Sequence, residues 1–189
     1  MISSSLQRVT QQLGFALVFM CCANSLNAAP NTQYFRKDDF EETKVWLEDQ
    51  VQYPNLPQEQ NLVSIYLGVA NTNQYWVDTA SISTGTDGVI RYSLIVLSSG
   101  GVRGATYEGI RCETRELRRY AVLRNNTEWV RSRNESWSRI TESPGHRQHA
   151  VLYLGYFCPD GIAVTTATEA IKNLKRGGRS PADSPAFTY

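Results

Sequence analysis

The run Asp87-Gly88-Val89-Ile90-Arg91-Tyr92-Ser93-Leu94-Ile95-Val96-Leu97 narrows the folds open to this chain more than any other feature. Asp-Gly is a dipeptide favoured in tight hairpin turns, and the residues after it alternate. Ile90, Tyr92, Leu94 and Val96 fall on one face of a strand, with Arg91 and Ser93 on the other. A two-faced strand leaving such a turn predicts an antiparallel partner just upstream, over residues 81–84. Ser98-Ser99-Gly100-Gly101 reverses the chain again into a strand over 105–113, and 118–123 reads as a further strand. Upstream, Val63, Ile65, Leu67 and Val69 alternate with Ser64, Tyr66 and Gly68, and residues 75–78 form a short strand. The expectation is a meander of antiparallel strands from Asn61 to about Leu123. Residues 129–140 fit two patterns, a helical stripe of Trp129, Arg133, Trp137 and Ile140, or strand alternation of Trp129, Arg131 and Arg133.

Two helices flank this meander. Residues 38–52 begin with acids and place Phe40, Leu47 and Val51 at helical spacing, which predicts a helix ending before Tyr53-Pro54, with an extended linker through Pro57. Thr166-Ala167-Thr168-Glu169 is a capping-box pattern, Ala167, Ala170, Ile171 and Leu174 form one helical face, and Gly177 can stop the helix. The fold class read from the sequence is α+β: an antiparallel β-meander with an N-terminal and a C-terminal helix. A tail over 179–189, with two prolines and little apolar bulk, reads as disordered.

The first residues carry one base, Arg8, and then an uncharged apolar run from Leu13 to Ala23 that leads into Leu26-Asn27-Ala28-Ala29. The run is too short for a membrane span, and cleavage after Ala28 fits a signal peptide over 1–28, so no transmembrane segment is expected in the mature chain. Phe19-Met20 before Cys21 is a poor lipidation context, which disfavours a lipoprotein anchored at Cys21 or Cys22. Cleavage leaves Cys112 and Cys158 in a mature chain of about 160 residues, single-domain length. Two cysteines in an exported protein are most simply one disulfide. The acidic lead-in over 29–60 contrasts with residues 103–147, which hold ten arginines, no lysine and six glutamates. Such opposite-sign segments can attract one another.

The blocks DGVIRYSLIV, YEGIRCETRE with RRYA close behind, and YFCPDG with its downstream helix resemble the family named after cryptic neisserial protein one. The resemblance runs from about Asn61 to about Gly178. It implies an exported protein of the Gram-negative periplasm, with Cys112 and Cys158 as the matching cysteines, and it carries over no catalytic residues.

Three constellations are candidates for chemistry. Glu108 shares a strand face with Ile110 and Cys112, so if Cys112 faces the core this carboxylate is covered and must be paired, hydrogen-bonded or protonated. Either it is a general acid or base with a raised pKa, working with a nearby arginine in a hydrolase, or it is held by an arginine for structural reasons. The second reading is favoured because no other catalytic group lies near it in sequence. His146 and His149 with Cys112 and Cys158 could supply four zinc ligands, but an oxidising compartment favours the disulfide, and two histidines beside Arg147 read as a solvated loop. No metal and no cofactor is expected. Arg115, Arg118, Arg119, Arg131 and Arg133, interleaved with Trp129 and Trp137, make a candidate surface for an anionic partner, with internal salt bridges as the competing use. An anionic envelope polymer or another periplasmic protein fits that surface better than nucleic acid. The function expected is a non-enzymatic binding or envelope-maintenance accessory, with a periplasmic hydrolase as the alternative.

Overall fold

The computed structural model describes residues 45–68 and 71–177. Asp87-Gly88 does form the tight turn, with Gly88 at φ +77°, a left-handed conformation that glycine adopts without strain. It joins β2 to β3 in a seven-stranded antiparallel sheet. The strands are β1 (Leu62–Ile65), β2 (Gln74–Thr84), β3 (Val89–Leu97), β4 (Arg103–Arg111), β5 (Glu116–Arg124), β6 (Glu128–Arg131) and β7 (Ser138–Arg139). The first six lie in sequence order across the sheet, and β7 pairs with the beginning of β5, at Glu116↔Arg139 and Leu117↔Ser138. The meander expected from the two-residue period is therefore present. The pieces expected over 75–78 and 81–84 are one strand, whose register shifts between Asp78 and Ser83. Residues 129–140 contain no helix; they form β6, a connecting segment and β7.

The two faces of the sheet bury different partners. On one, Ile90, Tyr92, Ile110 and Leu117 join a core with Leu152, Phe157, Ala170 and Leu174 from the C-terminal helical region. Tyr92 and Phe157 rings stack at a tilt, 5.0 Å between centroids. That region begins with a five-residue helix, α1 (Arg147–Val151), which widens into a π-helical turn over Leu152–Phe157, closed by a bond from Cys158 N–H to the Tyr153 carbonyl at 2.9 Å. The expected C-terminal helix follows as α2 (Ala167–Lys175). Thr166 Oγ1 accepts from Glu169 N–H at 3.1 Å, and the Glu169 carboxylate reaches back to Thr165 N–H at 3.0 Å, so the capping pattern works one residue wider than its minimal form. The Cys112–Cys158 disulfide, Cα atoms 5.5 Å apart, ties the end of β4 to the end of the π-helical turn.

The opposite face is covered by the chain before β1. The expected N-terminal helix is absent where the structure can be described: residues 45–52 are in neither helix nor strand, and the first half of that prediction lies outside the described residues, as do the predicted signal peptide and tail. Leu47, assigned to the buried helical face, is 78 % exposed, while Trp46 and Glu48 on either side turn inward. Trp46 Nε1 donates to the Asp87 carbonyl at 2.8 Å, and its ring meets Trp137 edge-on at 5.9 Å and lies under the Arg111 guanidinium at 4.0 Å. Asp49 accepts from Thr86 N–H at 2.7 Å, and its own N–H donates to Asp87 Oδ2 at 2.8 Å. Glu48 pairs with Arg118 and accepts from Tyr120 Oη at 2.7 Å. The acidic lead-in thus acts as a strap along the sheet, drawn by the arginines and aromatic rings of that face rather than by its own helical propensity.

One glycine is required by close approach. Tyr120 is the extra residue of a bulge between β4 and β5, and its ring lies over Gly109. A Cβ at position 109 would lie 2.6 Å from Tyr120 Oη and 2.9 Å from a Val89 methyl. Gly109→Ala is expected to push the Tyr120 ring off its bond to Glu48 and to lower stability by about 1–3 kcal/mol, the usual cost of overpacking. Urea titration is the check, and an unshifted midpoint would mean that the ring can yield freely.

Candidate functional site

Strand parity places Glu108 on the helical side of the sheet, as its sequence neighbours imply, but its surroundings are richer than a single arginine. The carboxylate is 1 % exposed. One oxygen accepts from Tyr92 Oη at 3.1 Å and meets His149 Nε2 at 2.9 Å; the other accepts from Thr106 Oγ1 at 2.9 Å and from Arg119 Nε at 3.3 Å. Tyr92 and Arg119 stand directly opposite Glu108 on the two neighbouring strands. His149 arrives from α1, across the core and 41 residues away in sequence.

Burial alone would push this carboxyl up. The charge and hydrogen bond of His149, the charge of Arg119 and the Thr106 hydroxyl outweigh burial and hold its pKa at about 2, against an ordinary value of 4.5. That is the reverse of the raised value a general acid would need. The Tyr92 hydroxyl, fully enclosed beside this carboxylate, is pushed well up by burial and then by the negative charge, so it remains a donor. The site therefore contains a fixed anion whose partners are all donors. An ionised carboxylate can only accept, so His149 Nε2 presents an N–H to it.

His149 is also the correction to the solvated-loop expectation. It is 2 % exposed, while His146 on the preceding turn is exposed, and the two rings stack at 6.2 Å. The Nδ1 atom of His149 is buried and has no hydrogen-bond partner among the described residues. The histidine lines a cavity of about 300 Å³ bounded by β5, β7 and the segments on either side of β7. Leu117 and Ile140 contribute apolar wall; Arg119, Arg139, His146 and His149 contribute cationic or polarisable nitrogen; hydroxyl and amide side chains make up the rest. No carboxylate of the described residues lines it, since Glu108 lies behind His149.

The arginines expected to form an anion-binding face are largely engaged within the molecule. Arg115 pairs with Glu142, Arg118 with Glu48 and Glu135, Arg119 with Glu108, and Arg131 with Glu135. Trp129 donates from Nε1 to the Pro54 carbonyl at 2.9 Å, and Trp137 packs on Trp46. Both rings thus hold the strap. Among the described residues Arg133 and Arg139 are in no ion pair with a carboxylate. The four zinc ligands considered from sequence do not assemble, because both cysteines are in the disulfide. The described residues contain no cluster of three or more histidine, cysteine or acidic side chains suited to a metal ion.

Over the described residues the strands, the disulfide and the cavity define an α+β fold: an antiparallel meander with helical cover on one face, a strap on the other and a polar hollow beside β5 and β7. The chain belongs to the CNP1-like family, whose model matches residues 41–175. It is also similar to cryptic neisserial protein 1 of Neisseria gonorrhoeae, 27 % identical over 166 residues, covering 79 % of this chain and 81 % of that one. No solved structure matches it. The family match starts before the strap, so it takes in residues 45–60, which the resemblance read from sequence had left out.

Proposed function

We propose that this protein is an exported periplasmic accessory that binds a ligand, without catalysing its conversion, in the cavity beside β5 and β7. The observation that carries this reading is the buried His149, which lines a cavity of ligand size with a ring nitrogen that no atom of the described residues satisfies. Export is supported by the apolar run before Ala28 and by the disulfide, which persists in oxidising compartments. The test is native mass spectrometry on protein released by osmotic shock, alongside a Ser136→Trp variant that fills the cavity mouth; the Ser136 side chain has no bonding role of its own. A small molecule retained by the parent and lost from the variant is the expected result. Absence from the shock fluid, or an equal load on both proteins, would overturn the reading.

The Glu108–His149 pair favours one rival, a periplasmic hydrolase. In it the proton acceptor would be His149, oriented by Glu108, and not Glu108 itself. Chemical change of the retained molecule by the parent, abolished by His149→Gln, would favour that rival.

A further inference from the structure

The wall of this cavity specifies the sign of what it holds. Among the described residues two guanidinium groups and two imidazoles line it, and no carboxylate does. Arg119 is already engaged with Glu108 through Nε. Arg139 is different. The sheet register places Glu116 opposite it, yet the Glu116 carboxylate accepts from Thr114 Oγ1 at 2.6 Å, and no described carboxylate pairs with Arg139. A second observation comes from behind the wall. Glu108 lies behind His149 and its charge is balanced by Arg119, which leaves the charge of Arg139 without a partner among the described residues. An incoming ligand therefore meets unbalanced positive charge in a partly enclosed space, where screening by salt is weaker than on an open surface.

From this we infer that the cavity takes a small oxyanion, a carboxylate or phosphate group, gripped by Arg139 with Arg119 and His146 around it. Arg139 supplies a planar fork that matches either group in two hydrogen bonds. The inference rests on the cavity being a binding site and names the class of its ligand.

Three probes separate the outcomes: inorganic phosphate, citrate and the neutral sugar glucose. Each is titrated by calorimetry into the full mature protein at low ionic strength and again with added sodium chloride. The expected result is saturable binding of phosphate or citrate that falls at least tenfold in Arg139→Gln and is lost in Ser136→Trp, with both variants melting close to the parent. Binding of glucose alone, lost in Ser136→Trp and indifferent to Arg139→Gln, would keep the cavity as a site and overturn the anionic ligand. Anion binding unchanged in both variants would place it elsewhere on the surface and overturn the inference, as would failure of both anions to bind.

Discussion

Glu108→Ala is expected to be among the most damaging single substitutions in this protein, lowering stability by about 3–5 kcal/mol, the range for removing one partner of a buried charge pair. The alanine leaves a buried imidazole, a buried phenol and a threonine hydroxyl facing a void, and frees a guanidinium that the carboxylate had held. Urea denaturation reads the loss as a lower midpoint at unchanged slope. Acid provides the companion measurement. Because the folded carboxyl sits at about 2 and its ordinary value is 4.5, its contribution is fully present above pH 4.5 and disappears as pH falls towards 2. That contribution is on the order of 3 kcal/mol. Glu108→Gln keeps the side-chain shape and removes this dependence, so its stability should be flatter than the parent's between those values. If the parent and Glu108→Gln lost stability in parallel over that interval, other carboxylates would be responsible for the acid response.

The second large effect belongs to the disulfide. Cys112 and Cys158 close a loop of 46 residues. Replacing both with alanine should lower stability by about 4 kcal/mol on the chain-entropy model. The bond also anchors the π-helical turn that follows α1, the element that carries His149 to Glu108. The losses from the cysteine pair and from Glu108→Ala should therefore combine to less than their sum, since releasing the segment already weakens the contact that Glu108→Ala removes. Additive losses would show that the segment docks equally well without the bond.

The sheet was readable in advance because its signals are local. A turn dipeptide at Asp87-Gly88, alternation along β3 and a capping sequence at Thr166 each act over a few residues, and each appears in the structure. The pairing of the cysteines followed from counting. The site was read less completely, for two physical reasons. Its central bond joins residues 41 apart, and no spacing rule connects a strand glutamate to a histidine on a five-residue helix. That helix also gave little warning, since Leu152, Tyr153, Tyr156 and Phe157 are all buried, so the segment shows no polar stripe, and Pro159 follows directly. The strap failed in the opposite way. Residues 38–52 had a helical pattern, but at Trp46, Glu48 and Asp49 tertiary partners on the sheet outweigh it. Opposite charges along the chain did forecast attraction between that segment and the arginines; the form of the contact came from the sheet.

The order of strands has a kinetic consequence. Each of β2 to β5 pairs with its predecessor in the chain, so the sheet can assemble hairpin by hairpin as the polypeptide is delivered, with short loops to close at every step. Glu108 enters at the fourth strand, while His149 is supplied only by α1, after the last strand. Until then the nascent sheet displays an ionised carboxylate in the middle of the surface destined to be its core, a charge that discourages early burial against a wrong partner. Arrival of the imidazole gives that carboxylate its partner from across the core, so this contact forms only once α1, which follows β7, has been made.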